Sequence, residues 1–460
     1  MLKISCLYYF YNIFVLEFSP IKYYYTMLKH YVALLLLLAG PTVNGQIVFS
    51  NGASVSITTG AIVHCNGGVK ITNSSNLTNN GTLNVTKNSS LSLAGNFENS
   101  SASVVNGNGT YAIEQDWVNS ATFQAQGSEV ILNGNTEQLI TSTNGTVTEF
   151  NDLSLTGNGT GSNQRKSLFS VDGRTSVNGI LNLNDRELHT GTQSFEVLNV
   201  APNAVLQSTA FGSEGFVSSL DPGYLVRHTN QVTSYLFPVG SSDGVYRYRP
   251  IELTPTSSSA AAFNVRLNNY SADLDGFLLA QSAPNIDAAN SLFYHSIDRS
   301  SGASNVAIRT HYLAADDGDW ISTAHWYPAN IQWEDVTNTS NGVSGNFAYN
   351  EKANWNFPTA NHSYVLINTV SELIIPNVFT PNQDGTNDEF FILSKGLTDY
   401  NLVIVNRWGN PVFETSDPAA VWDGTSGGDP CNEGTYFYIL KAKSSGKDKV
   451  MQGHITLHRN

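Results

Sequence analysis

The sequence predicts an all-β chain built from modules of different strand length, and three observations predict it. The first long stretch is a succession of short apolar alternations separated by Asn, Gly and Thr. The middle has longer, aromatic-rich strands, and neither part contains a long amphipathic helix. Composition agrees, because only 13% of the 460 residues are charged while 38 are Gly, a polar but uncharged chain suited to turns and strands. A chain of this length outgrows a single core, so about two to four domains are expected.

The expected order is a signal region over 1–45, a parallel β-solenoid-like repeat region over 46–200, β-sandwich-like modules over 201–371 and a terminal sandwich over 372–460. In the signal region Met27, Leu28, Lys29 and His30 make a short basic start ahead of the apolar run Val32 to Ala39. Val43-Asn44-Gly45 then places small or apolar residues where a signal peptidase reads them, so translation is expected to begin at Met27 and the mature chain at Gln46. The apolar run is too short to span a bilayer of about 30 Å.

From Gln46 to about Val200 the alternations include Val55-Ser56-Ile57, Val69-Lys70-Ile71, Leu83-Asn84-Val85, Leu91-Ser92-Leu93, Leu153-Ser154-Leu155 and Leu181-Asn182-Leu183. Each reads as one short, half-buried strand. Asn-Gly-Thr recurs at Asn80 to Thr82, Asn108 to Thr110, Asn144 to Thr146 and Asn158 to Thr160, where Asn and Gly are expected to supply positive φ. Strands this short cannot bury a face alone, and stacking them into a solenoid solves that; a sandwich of short strands is the alternative. Trp117-Val118-Asn119, Val130-Ile131-Leu132-Asn133-Gly134 and Phe150-Asn151-Asp152-Leu153 loosely resemble repeat regions of large bacterial surface proteins. Asp185-Arg186-Glu187 with His189 is the tight charged group of this region and reads as a surface ion pair.

Between Pro202 and Ser371 the strands lengthen, as in Phe263-Asn264-Val265-Arg266-Leu267, and four of the seven tryptophans occur there: Trp320, Trp326, Trp333 and Trp355. They stand near His311, Asp316, Asp317, Asp319, His325, Glu334 and Asp335. Exposed rings at Trp320, Trp326 and Trp333 would stack on a surface polysaccharide, and paired carboxylates would suit glycosidic chemistry. The other reading takes Asp316-Asp317-Gly318-Asp319 as a hairpin turn and the tryptophans as sandwich core.

The most specific pattern begins at Ile375. It runs Pro376-Asn377-Val378-Phe379-Thr380-Pro381-Asn382-Gln383-Asp384-Gly385-Thr386-Asn387-Asp388, then Asn406-Arg407-Trp408-Gly409, Trp422-Asp423-Gly424 and Gly434-Thr435-Tyr436, and ends on Gly453-His454-Ile455-Thr456-Leu457-His458-Arg459. Leu402 to Val405 and Tyr436 to Leu440 are continuous apolar runs suited to central strands, and an immunoglobulin-like sandwich fits the length. In block order this segment resembles the gliding motility-associated C-terminal domain, the type B sorting domain of the type IX secretion system. It departs at Gln383, where that family usually has Gly, and at Asn432-Glu433. The resemblance implies the type IX secretion machinery as partner and delivery to the cell surface or the medium. Independently, Asn382, Asp384, Asn387 and Asp388 place four oxygen-bearing side chains around Gly385, a spacing that can wrap calcium, while an Asx-rich turn uses the same oxygens on its own backbone.

The net charge of −14 and the scattered basic residues speak against nucleic acid as a partner. Only Cys65 and Cys431 follow the leader, far apart and without zinc spacing. No nucleophile elbow, phosphate loop or His-Glu-x-x-His pair is present, so no catalytic residue is assigned and no cofactor beyond calcium is considered. The expected function is that of an exported, non-enzymatic surface protein with a structural or adhesive role. A glycan-binding protein is the alternative, and an enzyme acting on polysaccharide is the least favoured.

Overall fold

The structure, a computed structural model, describes residues 47–52, 54–143, 145–169, 173–357, 362–369, 372–395, 397–444 and 447–459. The signal region with its expected start at Met27 and mature start at Gln46 lies outside the described residues, as do Asn144 of the third Asn-Gly-Thr turn and Ser371 at the last module boundary. Among the described residues no helix is long and apolar enough to cross a membrane.

The N-terminal part is a parallel β-solenoid with three faces. One face is an eight-stranded sheet that begins at Ile47–Asn51, Gly68–Thr72 and Ser90–Leu93 and ends at Val205–Leu206. The second, also eight-stranded, runs from Val55–Ile57 to Phe216–Ser218. The third starts as four strands, Ile62–Cys65 to Thr122–Gln124, and resumes at Thr148–Phe150 in another sheet. Parallel neighbours lie about 4.8 Å apart, so equivalent residues stack on one another. Leu91, Tyr111, Val130, Leu153 and Leu181 form one buried column. Leu77, Phe97, Trp117 and Ile140 form another, with the Phe97 and Trp117 rings stacked at 4.5 Å.

A polar column runs inside the same solenoid. Asn79, Asn99 and Asn119 end successive strands of the second face and are buried. Asn79 Nδ2 donates to Asn99 Oδ1 at 2.9 Å, Asn99 Nδ2 to Asn119 Oδ1 at 2.8 Å, and Asn119 Nδ2 to Thr148 Oγ1 at 2.8 Å. The second amide hydrogens of Asn79 and Asn99 reach the carbonyls of Val104 and Thr122, both at 3.1 Å. Each amide is thereby satisfied where an unpaired one would be costly.

The Asn-Gly-Thr glycines divide: Gly145 has the expected positive φ, at 67, whereas Gly81 and Gly109 correct the expectation from sequence. At Gly81 an added Cβ would sit 2.4 Å from the Ala61 carbonyl oxygen, and at Gly109 2.5 Å from that of Ser89. Neither has the positive φ expected of it; what excludes a side chain there is the backbone of the preceding turn. Positive φ falls instead on residues such as Asn88, Ala102 and Gln126.

The solenoid does not end at residue 200 with a gap. Leu225–Thr229 pairs in parallel with Phe195–Val197 on one side and antiparallel with Ala261–Asn268 on the other. The third face therefore continues as a ten-stranded sheet through Tyr294–Ser301, Ser363–Thr369, Ser322–Tyr327 and Gln332–Asp335. A five-stranded sheet of Tyr235–Phe237, Ile251–Pro255, Val306–Tyr312, Phe347–Trp355 and Ser340–Ser344 packs with it. One hydrophobic core runs from Ile57 to Leu366 across both architectures. Arg227, buried in the shared strand, ties them together: Nη1 donates to Leu236 O at 2.7 Å, and Nη2 to Ala201 O and Pro202 O at 3.1 and 3.0 Å.

The terminal module has a core of its own, built from Phe379, Phe390, Ile392, Tyr400, Leu402, Ile404, Trp422, Tyr436, Leu440, Ile455 and Leu457. Its main sheet has five strands in the order Val378–Phe379, Lys447–Leu457, Gly434–Ser444, Leu397–Val405, Pro411–Thr415.

Two predictions follow from the interior polar groups. Asn99→Leu takes the Asn99 partner from one amide hydrogen of buried Asn79 and from the amide oxygen of Asn119, while Ser103 keeps its bond to Ser100 O, so denaturant unfolding should show a loss of about 1–3 kcal/mol per stranded group. A midpoint equal to that of the unaltered chain would show that the column carries no stability. The second concerns His295, buried between the sheets, whose imidazole is pushed down from its ordinary value of 6.5 to about 4 by desolvation. The unfolded chain binds this proton first, so stability should be complete above about pH 6.5 and fall as pH drops towards 4, by roughly 3 kcal/mol at the limit. Denaturation midpoints flat between pH 7 and 5 would contradict it, and His295→Gln should flatten the slope.

Candidate functional site

The terminal module gathers most of its motif residues at one end. Trp422 and Tyr436 stand in its core with ring centroids 5.1 Å apart. The Trp422 backbone exchanges two 2.8 Å hydrogen bonds with Phe390, its indole N–H donates to Thr425 O at 2.8 Å, and Tyr436 Oη donates to Asn432 O at 2.8 Å. Asp423 caps the adjoining turn, accepting from Thr425 N at 2.9 Å and Thr425 Oγ1 at 2.7 Å. Arg459, the last residue of the terminal block, joins the blocks: Nη1 donates to Pro381 O at 3.1 Å and Nη2 to Gly424 O at 2.9 Å, a role that block order alone does not assign.

The loop from Pro381 to Asp388 is folded on itself. Asp388 Oδ1 accepts from Asn382 N and Gln383 N at 3.0 and 2.6 Å, and Oδ2 from Gly385 N at 2.8 Å. Asp384 Oδ1 accepts from Thr386 N at 2.8 Å, Asn382 Oδ1 from Asp384 N at 3.2 Å, and Asn387 Nδ2 donates to Val378 O at 3.3 Å. Desolvation opposes the charge on Asp388, but the N–H groups of Gly385, Gln383, Asn382 and Asp384 outweigh it and hold the carboxyl below the usual carboxylate range. Gln383 has φ 66 and Gly385 φ 84, so the departure from the family's glycine sits in a left-handed conformation supported by the bond from its N–H to Asp388. Among the described residues no group of three or more His, Cys, Asp or Glu is arranged to hold a metal ion.

Arg407, Trp408 and Gly409 form the tip of the hairpin between Leu397–Val405 and Pro411–Thr415. Asn406 Oδ1 accepts from Trp408 N and Asn410 N, both at 3.0 Å, and Gly409, at φ 82, closes the turn. Arg407 is exposed, and its guanidinium lies near Gly434, where an added Cβ would meet Nη2 at 3.4 Å. Thr435 is exposed beside Gly434. The Trp408 side chain is 80% exposed.

The candidate glycan rings are placed differently from a binding platform. Trp326 and Trp333 are buried with Phe277 in a satellite core, centroids 5.4 Å apart, and the Trp333 indole donates to Phe277 O at 3.2 Å. Trp320 is half-buried, its indole N–H donating to Asp317 O at 2.8 Å. Trp355 is also in the core and donates to Tyr364 Oη at 2.8 Å. Asp316 to Asp319 is not a hairpin turn: Ala314–Asp317 is one short helical turn linking strands of two different sheets. Asp317 is drawn inward by Arg249, whose Nη2 lies 2.8 Å from Oδ1. The group around Glu187 is likewise not a surface ion pair. Glu187 is fully buried, 3.0 Å from Arg165 Nε, and accepts from Ser218 and Ser242 at 2.5 Å each, because the segment at Ser242 and Asp243 lies over this face. His189 Nδ1 is 2.9 Å from Ser218 Oγ.

No curated protein and no solved structure matches the chain. A family model described as the CHU_C type IX secretion signal domain matches residues 373–457. The C-terminal module, with its own core and its motif blocks tied together through Arg459, is a member of that sorting-domain family, and it marks the chain for export to the cell surface or the medium.

Proposed function

We propose that the chain is a non-enzymatic surface or secreted protein of structural or adhesive role, with residues 46–371 as cargo and an immunoglobulin-like sandwich over 372–460 as its address. The observation that carries this reading is the division of the cores: one continuous core for the solenoid and the sheets after it, and a separate one for the terminal module. Modules with separate cores fold and act separately, which an address attached to a cargo requires. The non-enzymatic part is supported by how the cargo uses its charges. Arg249 with Asp317, Arg165 with Glu187 and Arg309 with Glu351 are paired with one another within the fold. The shallow pit at Val104, Thr122, Phe123 and Val147, about 420 Å³, is lined by alanine, valine, phenylalanine, serine and threonine, with no titratable side chain among them.

In a strain with a working type IX system, deleting 375–460 should leave folded cargo in the periplasm, and fusing those residues behind a signal-peptide-bearing reporter should carry the reporter out. Equal export of truncated and intact chains would overturn the address. For the loop Asn382 to Asp388 we propose the self-bonded turn over calcium, since its carboxylates already accept from their own backbone. Chelator and added calcium should both leave the melting temperature of the intact chain unchanged; a rise with calcium that chelator reverses would establish a cation site instead.

A further inference from the structure

We propose that the hairpin tip at Trp408 and the apolar stripe continuing from it across the outer face of the terminal sheet are the surface by which a protein of the type IX machinery holds this domain; the proposal rests on the sorting role of that domain. The strand Gly434–Ser444 lies in the middle of the sheet, and its run Tyr436 to Leu440 is apolar at every position. Such a run belongs to strands covered on both faces, whereas a strand covered on one face alternates with polar residues. Among the described residues the chain covers one face only. Tyr436 and Leu440 enter the core, while Phe437 and Ile439 are 45% and 37% exposed on the other side.

The stripe spans two strands and the turn. Phe437 pairs across the sheet with Val405, and Ile439 with Val403, both half-buried. Trp408 stands three residues beyond Val405 on the locked turn, while on the other side Phe437 and Ile439 face His454 and Gln452, which bound the stripe with polar side chains. The other motif residues have a use inside the fold: Trp422 and Tyr436 fill the core, Asp384, Asp388 and Asp423 bind turn N–H groups, and Gly424 receives Arg459. The Trp408 indole has no comparable use. A tryptophan on a turn whose backbone is pinned, beside an arginine and flanked by aliphatic side chains, is the composition of a protein-binding hot spot. The occupant is therefore a protein with an apolar groove, and the role of the matched family, a secretion signal, makes it part of the secretion machinery.

The test uses the full chain in a strain with a type IX system, comparing Trp408→Ala, Ile439→Thr, the double variant and deletion of 375–460. The fraction reaching surface or medium and the melting temperature of each purified protein are measured. The expected result is an unchanged melting temperature for the point variants and export at least tenfold lower for the double variant. Normal export of the point variants, with the deletion retained in the periplasm, overturns the surface and leaves the sorting role standing. Export of the deletion as well removes the sorting role and the proposal with it. Export lost only where melting also falls counts against the surface. So does a chain that self-associates through Trp408 while its variant is exported normally, since the stripe is then a contact between copies.

Discussion

Everything in the N-terminal half depends on one constraint: strands of three to five residues hold their shape only if a neighbour lies about 4.8 Å away on each side. No rung can bury a face by itself, so stability is shared between adjacent rungs. The constraint explains why Gly81 and Gly109 carry no side chain, since the carbonyl of the rung below occupies the place of a Cβ. It also explains why the interior tolerates amides. Asn79, Asn99 and Asn119 repeat at the rung spacing, so each finds its partner directly above or below. A buried amide in an irregular core would have to find two partners by chance; in a stack the repeat supplies them.

The same constraint decides how the solenoid finishes. A last rung with nothing above it would present a row of unpaired N–H and C=O groups. Here Leu225–Thr229 answers the rung below in parallel and the sandwich strand above in antiparallel sense, so the third face is left without an edge at that end, while the other two sheets finish at Val205–Leu206 and Phe216–Ser218. Arg227 reinforces the junction by donating to carbonyls of the final turn. The terminal module takes no part in this and keeps a separate core.

Much of this was legible in the sequence. The alternations Leu83-Asn84-Val85 and Leu91-Ser92-Leu93 are strands, and the order of the terminal blocks identified the sorting family. The interior amide column was not legible, because its spacing of twenty residues lasts for three turns and then breaks, with Thr148 taking the next place. Composition misled at Gly81 and Gly109, where Gly suggested backbone freedom and the true demand was space, although Gly145 does take the positive φ that Asn-Gly-Thr suggested. Charge misled twice. Glu187 and Asp317 look like surface residues in a linear reading, yet each is buried against an arginine far away in sequence, Arg165 and Arg249. Nor could the sequence divide the terminal apolar run into its two faces, since every residue from Tyr436 to Leu440 is apolar; only the register shows which ones the core leaves out.

The strand shared at Leu225–Thr229 also gives the cargo a direction. At the far end the rung of Ile47–Asn51, Val55–Ile57 and Ile62–Cys65 has, among the described residues, a neighbour on one side only in each of its three sheets. Fraying in a stacked array starts from whichever end is least supported. Loss of order should therefore advance rung by rung away from the N-terminus and halt at the sandwich, where the next step would have to breach two packed sheets at once. A pull applied to the C-terminal side meets the resistant end of the rod, whereas the same pull at the other side meets the end that unravels.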